Sequence, residues 1–277
     1  GYEFEPMVAL TAASGATTSA RLQTGVLGND YRHPVLVHRM AALLDVVSGG
    51  RFVLGMGAGW MTSDYQAAGL DLDPPAVRID RLEEAIAVVK GLFADAPFTF
   101  AGEHYRISDL DGLPKPVQRP HPPLFLGGGS PRVLRLAGRE ANVVGVNASL
   151  RRGTLGTHAI RDLSPDRVVE KIGWVHEGAR AAGRSPGDVE LEINLWLARI
   201  TRTVDDGRDF LERMAATHEV EPAILAESPS VLVGTVEQCV EALQQRREEL
   251  GFTCIQLDAG HPNPRIDDFA PLIAALS

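Results

Sequence analysis

Apolar residues along the chain follow two spacings that take turns. Short apolar runs at 21–26, 52–56, 124–126, 143–147, 191–200 and 254–258 have the length of buried strands. Between them, Pro34–Val47 carries Val35, Leu36, Met40, Leu43, Leu44 and Val47 on a helical period. The segment opened by Pro74 and Pro75 repeats the pattern with Ile79, Leu82, Ile86, Val89 and Phe93. Further helices are expected over Pro6–Ala16, from Ser164 and Pro165 to about Ala182, as a pair within 205–227, after the cap Gly234–Thr235, and over 266–276. Leu191, Ile193, Leu195 and Leu197 alternate strictly, which predicts one strand through 191–200. FTFAGEHYRI at 98–107 reads as a hairpin turning at Ala101, Gly102 and Glu103. A rhythm of strand, glycine loop and helix predicts an α/β fold with a parallel sheet.

Six strands are two short of the eight that close a (β/α)8 barrel. The chain begins with Gly1 and not with Met. The expectation is therefore one barrel domain over 1–277 whose first β-α-β segment lies upstream of Gly1.

Composition narrows the class. With 27 Lys+Arg against 36 Asp+Glu the net charge is −9, which disfavours a nucleic-acid partner because phosphate neutralisation needs a basic face. No apolar run approaches the roughly 18 residues of a membrane span. Cys239 and Cys254 are the two cysteines, too few for a disulfide framework, and no secretory signal opens the chain. A cytoplasmic protein acting on a small molecule, without nucleic acid or membrane, is expected.

The chemistry concentrates after two strands. Gly55-Met56-Gly57-Ala58-Gly59 and Gly127-Gly128-Gly129-Ser130 each follow an apolar run, and strand C-termini form the functional face of a parallel barrel. Glycine lets backbone approach a ligand closely, and the second cluster precedes a helix N-terminus, a ready anion site. The competing reading is a pair of tight turns. Neither cluster is G-x-G-x-x-G, so a Rossmann nicotinamide site is disfavoured. None of the eight histidines forms H-x-H or H-E-x-x-H, and no Gly-x-Ser-x-Gly elbow occurs, so zinc and serine hydrolases find no support.

TGVLGNDYRHP (24–34), LDVVSGGRFVLGMGAGW (44–60), DRLEEAIAVVKGLF (80–93), FTFAGEHYRI (98–107), PVQRPHPPLFLGGG (116–129) and VLRLAGREAN (133–142) occur in the order found in bacterial luciferase-like oxidoreductases. The chain resembles that family over about 5–150, and LVGTVEQCVEAL (232–243) extends the likeness to about 260. NDYRHP and GAGW make it most similar to the actinobacterial branch that uses the deazaflavin coenzyme F420. The resemblance implies a luciferase-like barrel with a non-proline cis peptide against the cofactor ring at Gly25–Val26, after Thr24. It implies cofactor contacts at Gly57, Ala58 and Gly59, and a phosphate loop at Gly127, Gly128, Gly129 and Ser130, with Asn147 at the end of the next strand. The substrate would lie near Trp60, Tyr31 and Arg32. The implied activity is hydride transfer between F420 and a small organic substrate. An FMN-dependent monooxygenase is the enzymatic alternative, and a barrel that binds cofactor or nothing without turnover is the non-enzymatic one. The family's assembly implies a homodimer, for which no residue pattern picks out an interface.

Two departures stand out. Relatives carry an Asp-His pair near the ring edge; the chain has no Asp-His dipeptide, and its place falls upstream of Gly1. In the sugar-phosphate branch a glutamate follows the glycine loop, where this chain has Trp60, an apolar wall. His33 is the remaining candidate proton carrier, against a reading in which Arg32 and His33 organise the loop and cap the next helix. Trp60, Met61 and Tyr65 either wall a pocket or pack the loop. Arg78 and Arg81, beside Asp80, Glu83 and Glu84, read as solvated helix charges.

Overall fold

The structure, a computed structural model, describes residues 4–150, 153, 156–257 and 265–276. It divides into two compact units, Gly1–Gly127 with Arg139–Val143, and Gly128–Gly138 with Val144–Ser277. Asp258 and His261 lie outside the described residues.

The first unit opens with helix α1 (Pro6–Ala16), started by Pro6 and capped by the Glu5 carboxylate, which accepts from the Val8 N–H at 2.8 Å. Strands β1 (Leu22–Gln23) and β2 (Leu27–Gly28) follow, then helix α2 (Pro34–Ser48), which Gly49 ends in the left-handed conformation. Strand β3 (Phe52–Gly57) is buried throughout. Helices α3 (Thr62–Ala68) and α4 (Pro75–Phe93) come next, then the hairpin β4 (Phe98–Ala101) and β5 (Arg106–Leu110), and β6 (Leu124–Gly128). The expected apolar face of α4 is the buried one: Ile79, Leu82, Ile86, Val89 and Phe93 all lie inside.

Polar side chains fasten the connections. Buried Asp45 accepts from the Val117 and Gln118 N–H groups and from the Gln118 amide, at 2.6–2.9 Å, which fixes the proline-rich connector. The Glu84 carboxylate accepts from the N–H groups of Glu103, His104 and Tyr105 at 2.7–3.0 Å. Burial alone would raise this carboxyl, but those three donors hold it below the ordinary range. The hairpin turn is Gly102–Tyr105, because Ala101 still pairs with Arg106; the expected turn at Ala101–Glu103 is displaced by this anchor. Glu84 is thus no free solvated charge.

In the second unit lie helix α5 (Pro131–Glu140, its last two residues in the first unit), β7 (Val143–Val146), α6 (Thr157–Arg161) and α7 (Pro165–Ala181). They are followed by β8 (Glu190–Leu195), β9 (Leu197–Ile200), α8 (Val204–Thr217), α9 (Pro222–Ala226), β10 (Val231–Gly234), α10 (Val236–Leu250), β11 (Phe252–Leu257) and α11 (Ala270–Leu276). Helices α5 and α7 touch backbone to backbone: a Cβ on Gly138 would overlap the Val175 carbonyl, and one on Gly178 the Arg135 carbonyl.

The expected single strand through 191–200 is two strands. It breaks at Trp196, where β8 pairs in parallel with β11 and β9 turns to a different parallel partner, β10. Alternation persists across the break because both halves bury their leucines, Leu195 and Leu197. Gly234, expected to cap a helix together with Thr235, instead ends β10, and Thr235 alone caps α10. No helix among the described residues is long and apolar enough to cross a membrane.

His38 on α2 is buried against Phe93, with ring centroids 4.7 Å apart. Burial, then the nearby Lys115 and Arg39 charges, push its pKa down to about 4. The unfolded chain therefore binds a proton that the folded one refuses. This residue's contribution to stability is complete above about pH 6.5 and is lost as pH falls toward 4. Denaturant melts of wild type and H38L should show their stability difference shifting against wild type by roughly 3 kcal/mol between pH 7 and pH 4. A pH-independent difference would show that the folded chain takes up this proton as readily as the unfolded one.

Candidate functional site

In the first unit the site grows from one irregularity. Gln23 registers with Val53, and Leu27 with Met56, so Thr24, Gly25 and Val26 stand opposite only Leu54 and Gly55. The extra residue makes a bulge that cuts the expected strand 21–26 down to β1, with β2 starting just beyond it at Leu27. Thr24 sews the bulge down: its buried hydroxyl donates to the Gly55 carbonyl at 3.0 Å and accepts from the Gly55 N–H at 2.8 Å. Position 55 must be glycine, because a Cβ there would stand on the Thr24 carbonyl oxygen. Thr24, a candidate cofactor ligand, is therefore a buried fastener.

The bulge throws Gly25 and Val26 outward. The Gly25–Val26 peptide is cis, as the resemblance implies. A Cβ on Gly25 would meet nothing within 4 Å, so this backbone faces open space, and Val26 is 39% exposed. Strands β2, β3 and β6 are parallel, with Gly28 registered on Gly57 and Met56 on Leu126. The Gly25–Val26 turn, Gly57 and Gly127 thus share the C-terminal edge of this sheet.

Behind that edge sits a polar network the sequence reading misassigns. Arg78 is 7% exposed, and its guanidinium donates to the Ala58 carbonyl at 3.0 Å, to the Gly59 carbonyl and to the Asp73 carbonyl at 2.8 Å. Arg81 pairs with Asp30 at 2.6 Å and with Asp73. Neither is a solvated helix charge. Their i, i+3 spacing at the start of α4 was the available signal, but it also fits a solvated face. Tyr65 packs the loop: it is buried and donates to Asp30 at 2.8 Å. Burial first, then Asp30, pushes its phenol above the ordinary range. Trp60 and Met61 are half-buried, and Tyr31 is 42% exposed with its ring edge-on to Tyr65.

Arg32 pairs with Glu5 at 2.5 Å, so its charge is taken up within the unit. His33 is exposed and caps α2, its Nδ1 accepting from the Val35 N–H at 3.3 Å. An accepting Nδ1 puts the proton on Nε2. His33 also lies edge-on to Tyr105, whose hydroxyl accepts from the buried Asn29 amide at 3.2 Å.

The second unit holds the glycine loop from Gly128 on. The Asn147 N–H donates to the Gly128 carbonyl at 2.9 Å, and Ser130 starts α5 by accepting from the Leu134 N–H at 3.0 Å. A Cβ on Gly129 would fall inside the Ala148–Ser149 peptide. Buried backbone thus lies against backbone beside the start of α5. Beneath it, fully buried Lys171 donates to the Asn147 carbonyl at 3.1 Å and pairs with Asp162. Asp162 also accepts from the Ser149 N–H at 2.7 Å and from Arg167 at 3.0 Å. Burial would raise the Asp162 carboxyl, yet these donors hold it below the ordinary range. Nothing in the sequence marked Lys171 or Asp162. Among the described residues no cluster of His, Cys, Asp or Glu is arranged to hold a metal.

A parallel α/β sheet with glycine-lined strand ends defines the class, and comparison with known proteins supplies the family. The luciferase-like monooxygenase family model matches residues 1–209, and the chain belongs to that family. It is 32% identical to an FMNH2-dependent dimethylsulfone monooxygenase of Pseudomonas putida, over 47% of this chain and 36% of that protein. It is 27% identical to an F420-dependent glucose-6-phosphate dehydrogenase of Kineococcus radiotolerans, over 72% of this chain and 55% of that one. The chain thus covers about a third to a half of the length of these relatives. Coenzyme F420-dependent tetrahydromethanopterin reductase of Methanopyrus kandleri shares the fold, with TM-score 0.75 and 20% identity over 98% of this chain and 86% of that one.

Without the lysine Asp162 keeps Arg167 as its charged partner, so the cost falls below the roughly 3–5 kcal/mol of a fully broken buried pair, to about 2 kcal/mol. Substituting Lys171→Met should lower stability by about that amount in denaturant melts. It should also speed amide exchange at Asn147 and Ser149, whose backbone the pair holds. A loss below about 1 kcal/mol would show that the pair does not anchor this loop.

Proposed function

We propose that the chain is a coenzyme F420-dependent oxidoreductase that moves hydride between the deazaflavin and a small organic substrate. The observation that carries this reading is the open backbone of Gly25 on the sheet edge where half-buried Gly127 also lies, while Gly57, an expected cofactor contact, is buried beneath the Val26 side chain. A planar ring needs such a face, free of side chains. The backbone around Gly128, Gly129 and Ser130 suits the cofactor's phosphate. The preference for F420 over FMN rests on the NDYRHP and GAGW motifs.

When bound, the deazaflavin supplies a two-electron hydride centre. The protein's part is to hold and orient. Gly25 and Val26 give the ring a flat support, Ala58 and Gly59 form a loop fixed by Arg78, and Trp60 with Tyr31 offers apolar and aromatic surface to the substrate. Trp60 at this position disfavours a sugar-phosphate substrate. His33 is the proton carrier, acting through Nε2 because Nδ1 caps α2.

Titration of F420 should quench its fluorescence with a micromolar Kd, whereas FMN should bind more weakly. Tighter FMN binding with oxygen consumption would favour the monooxygenase, and no response to either would favour a barrel without turnover. G129A should weaken F420 binding at least tenfold, since the added methyl displaces the Ala148–Ser149 backbone.

Asparagine caps helices well, so H33N separates the two roles of His33. It should leave the melting temperature nearly unchanged while lowering turnover on the order of 100-fold. Wild-type turnover in H33N would reduce His33 to a cap.

A further inference from the structure

We infer that Asp30 and Tyr65 are positioning residues: with Arg81 they lock the two ligand-facing loops of the first unit, 29–33 and 57–61, into the shape that holds the cofactor. This rests on the cofactor reading above for what the loops hold, but Asp30, Tyr65 and Arg81 are not among the residues that reading uses.

Asp30 is the hub. Its side chain is 7% exposed, and both oxygens are engaged: Oδ1 with Arg81 at 2.6 Å and Oδ2 with the Tyr65 hydroxyl at 2.8 Å. The Tyr65 hydroxyl lies where a Cβ on Gly59 would stand. Gly59 has φ +72°, so this position favours glycine on conformation as well as on space. One phenol therefore touches both loops: it reaches the carboxylate of the first and fills the notch in the second.

Helix α4 anchors the assembly from behind. Arg81 adds Asp73 to its pair with Asp30, and Arg78 holds the Ala58, Gly59 and Asp73 carbonyls. Two cations balance two carboxylates, so the cluster can be largely dry without a net charge. Tyr31 inherits its placement from the same lock, its ring edge-on to Tyr65 at 5.4 Å. The exposed aromatic offered to a substrate thus stands on a buried aromatic that is itself tied to Asp30.

A hydrogen bond to a charged, buried acceptor is strong enough that its loss shifts a local equilibrium about tenfold or more. The test pairs amide exchange on the ligand-free protein with equilibrium titration by F420 and, separately, FMN. Variants are Y65F, D30N, the double Y65F/D30N, and V88A, a buried position on α4 that is outside the lock. In Y65F, exchange at 30–32 and 58–61 should rise about tenfold, while β3 stays protected and cofactor affinity falls about tenfold. The double variant should be no worse than D30N alone, because both remove one coupled unit. V88A should lower the melting temperature without selectively loosening the loops.

Unchanged loop exchange in Y65F, or the same loop pattern in V88A, would overturn the lock. Looser loops with unaltered cofactor affinity would overturn its link to binding. If wild type binds neither cofactor, the functional reading fails, and the exchange comparison still decides whether the lock exists.

Discussion

One close approach governs the ligand-facing part of the first unit: Thr24 against Gly55. The threonine hydroxyl both gives and takes a hydrogen bond with a single residue's backbone, and a Cβ at position 55 would forbid the contact. The fastening lets a three-residue stretch oppose two residues without leaving buried backbone unpaired. Its consequence is geometric. Gly25 and Val26 are turned out of the sheet at the strand end where Gly57 and Gly127 emerge.

Electrostatics then fixes what the bulge exposes. An edge built from short loops would be mobile if each loop had only its own turn to hold it. Here Asp30, Asp73, Arg78 and Arg81 join segments separated by up to 51 residues, and their charges cancel within the cluster. Glu84 does the same for the hairpin turn, and Arg32 with Glu5 for the entry to α2. These side chains are satisfied within the unit.

The helices that Pro6, Pro34, Pro75 and Pro165 open were legible because their starts are chemically marked, whereas the short α3 and α6, with no proline at their starts, were not. The strands and glycine loops on the sheet edge were legible too. What failed has a common cause. A pattern of apolar and polar residues reports which face is buried, not which partner a strand chooses, so the break at Trp196 left no trace between Leu195 and Leu197. The same pattern treats every charge as a tie to solvent. Arg78, Arg81 and Glu84 share a helix face with ordinary surface charges, and only the loops folded over that face turn them inward. Lys171 is the extreme case, a lysine on a helix with no exposed area at all. Its partner Asp162 lies nine residues away, beyond the spacing at which a helix pair could be recognised.

The two glycine loops therefore rest on different physics. The loop at 57–60 is held by arginine donors on carbonyls and by a tyrosine in a glycine notch, so its shape is set by side chains from α3 and α4. The loop at 128–130 is held by backbone contact with Ala148 and Ser149, whose own position depends on the Lys171–Asp162 pair. In the first loop arginine donors act on carbonyls, whereas beside the second the lysine holds the Asn147 carbonyl and Asp162 holds the Ser149 N–H.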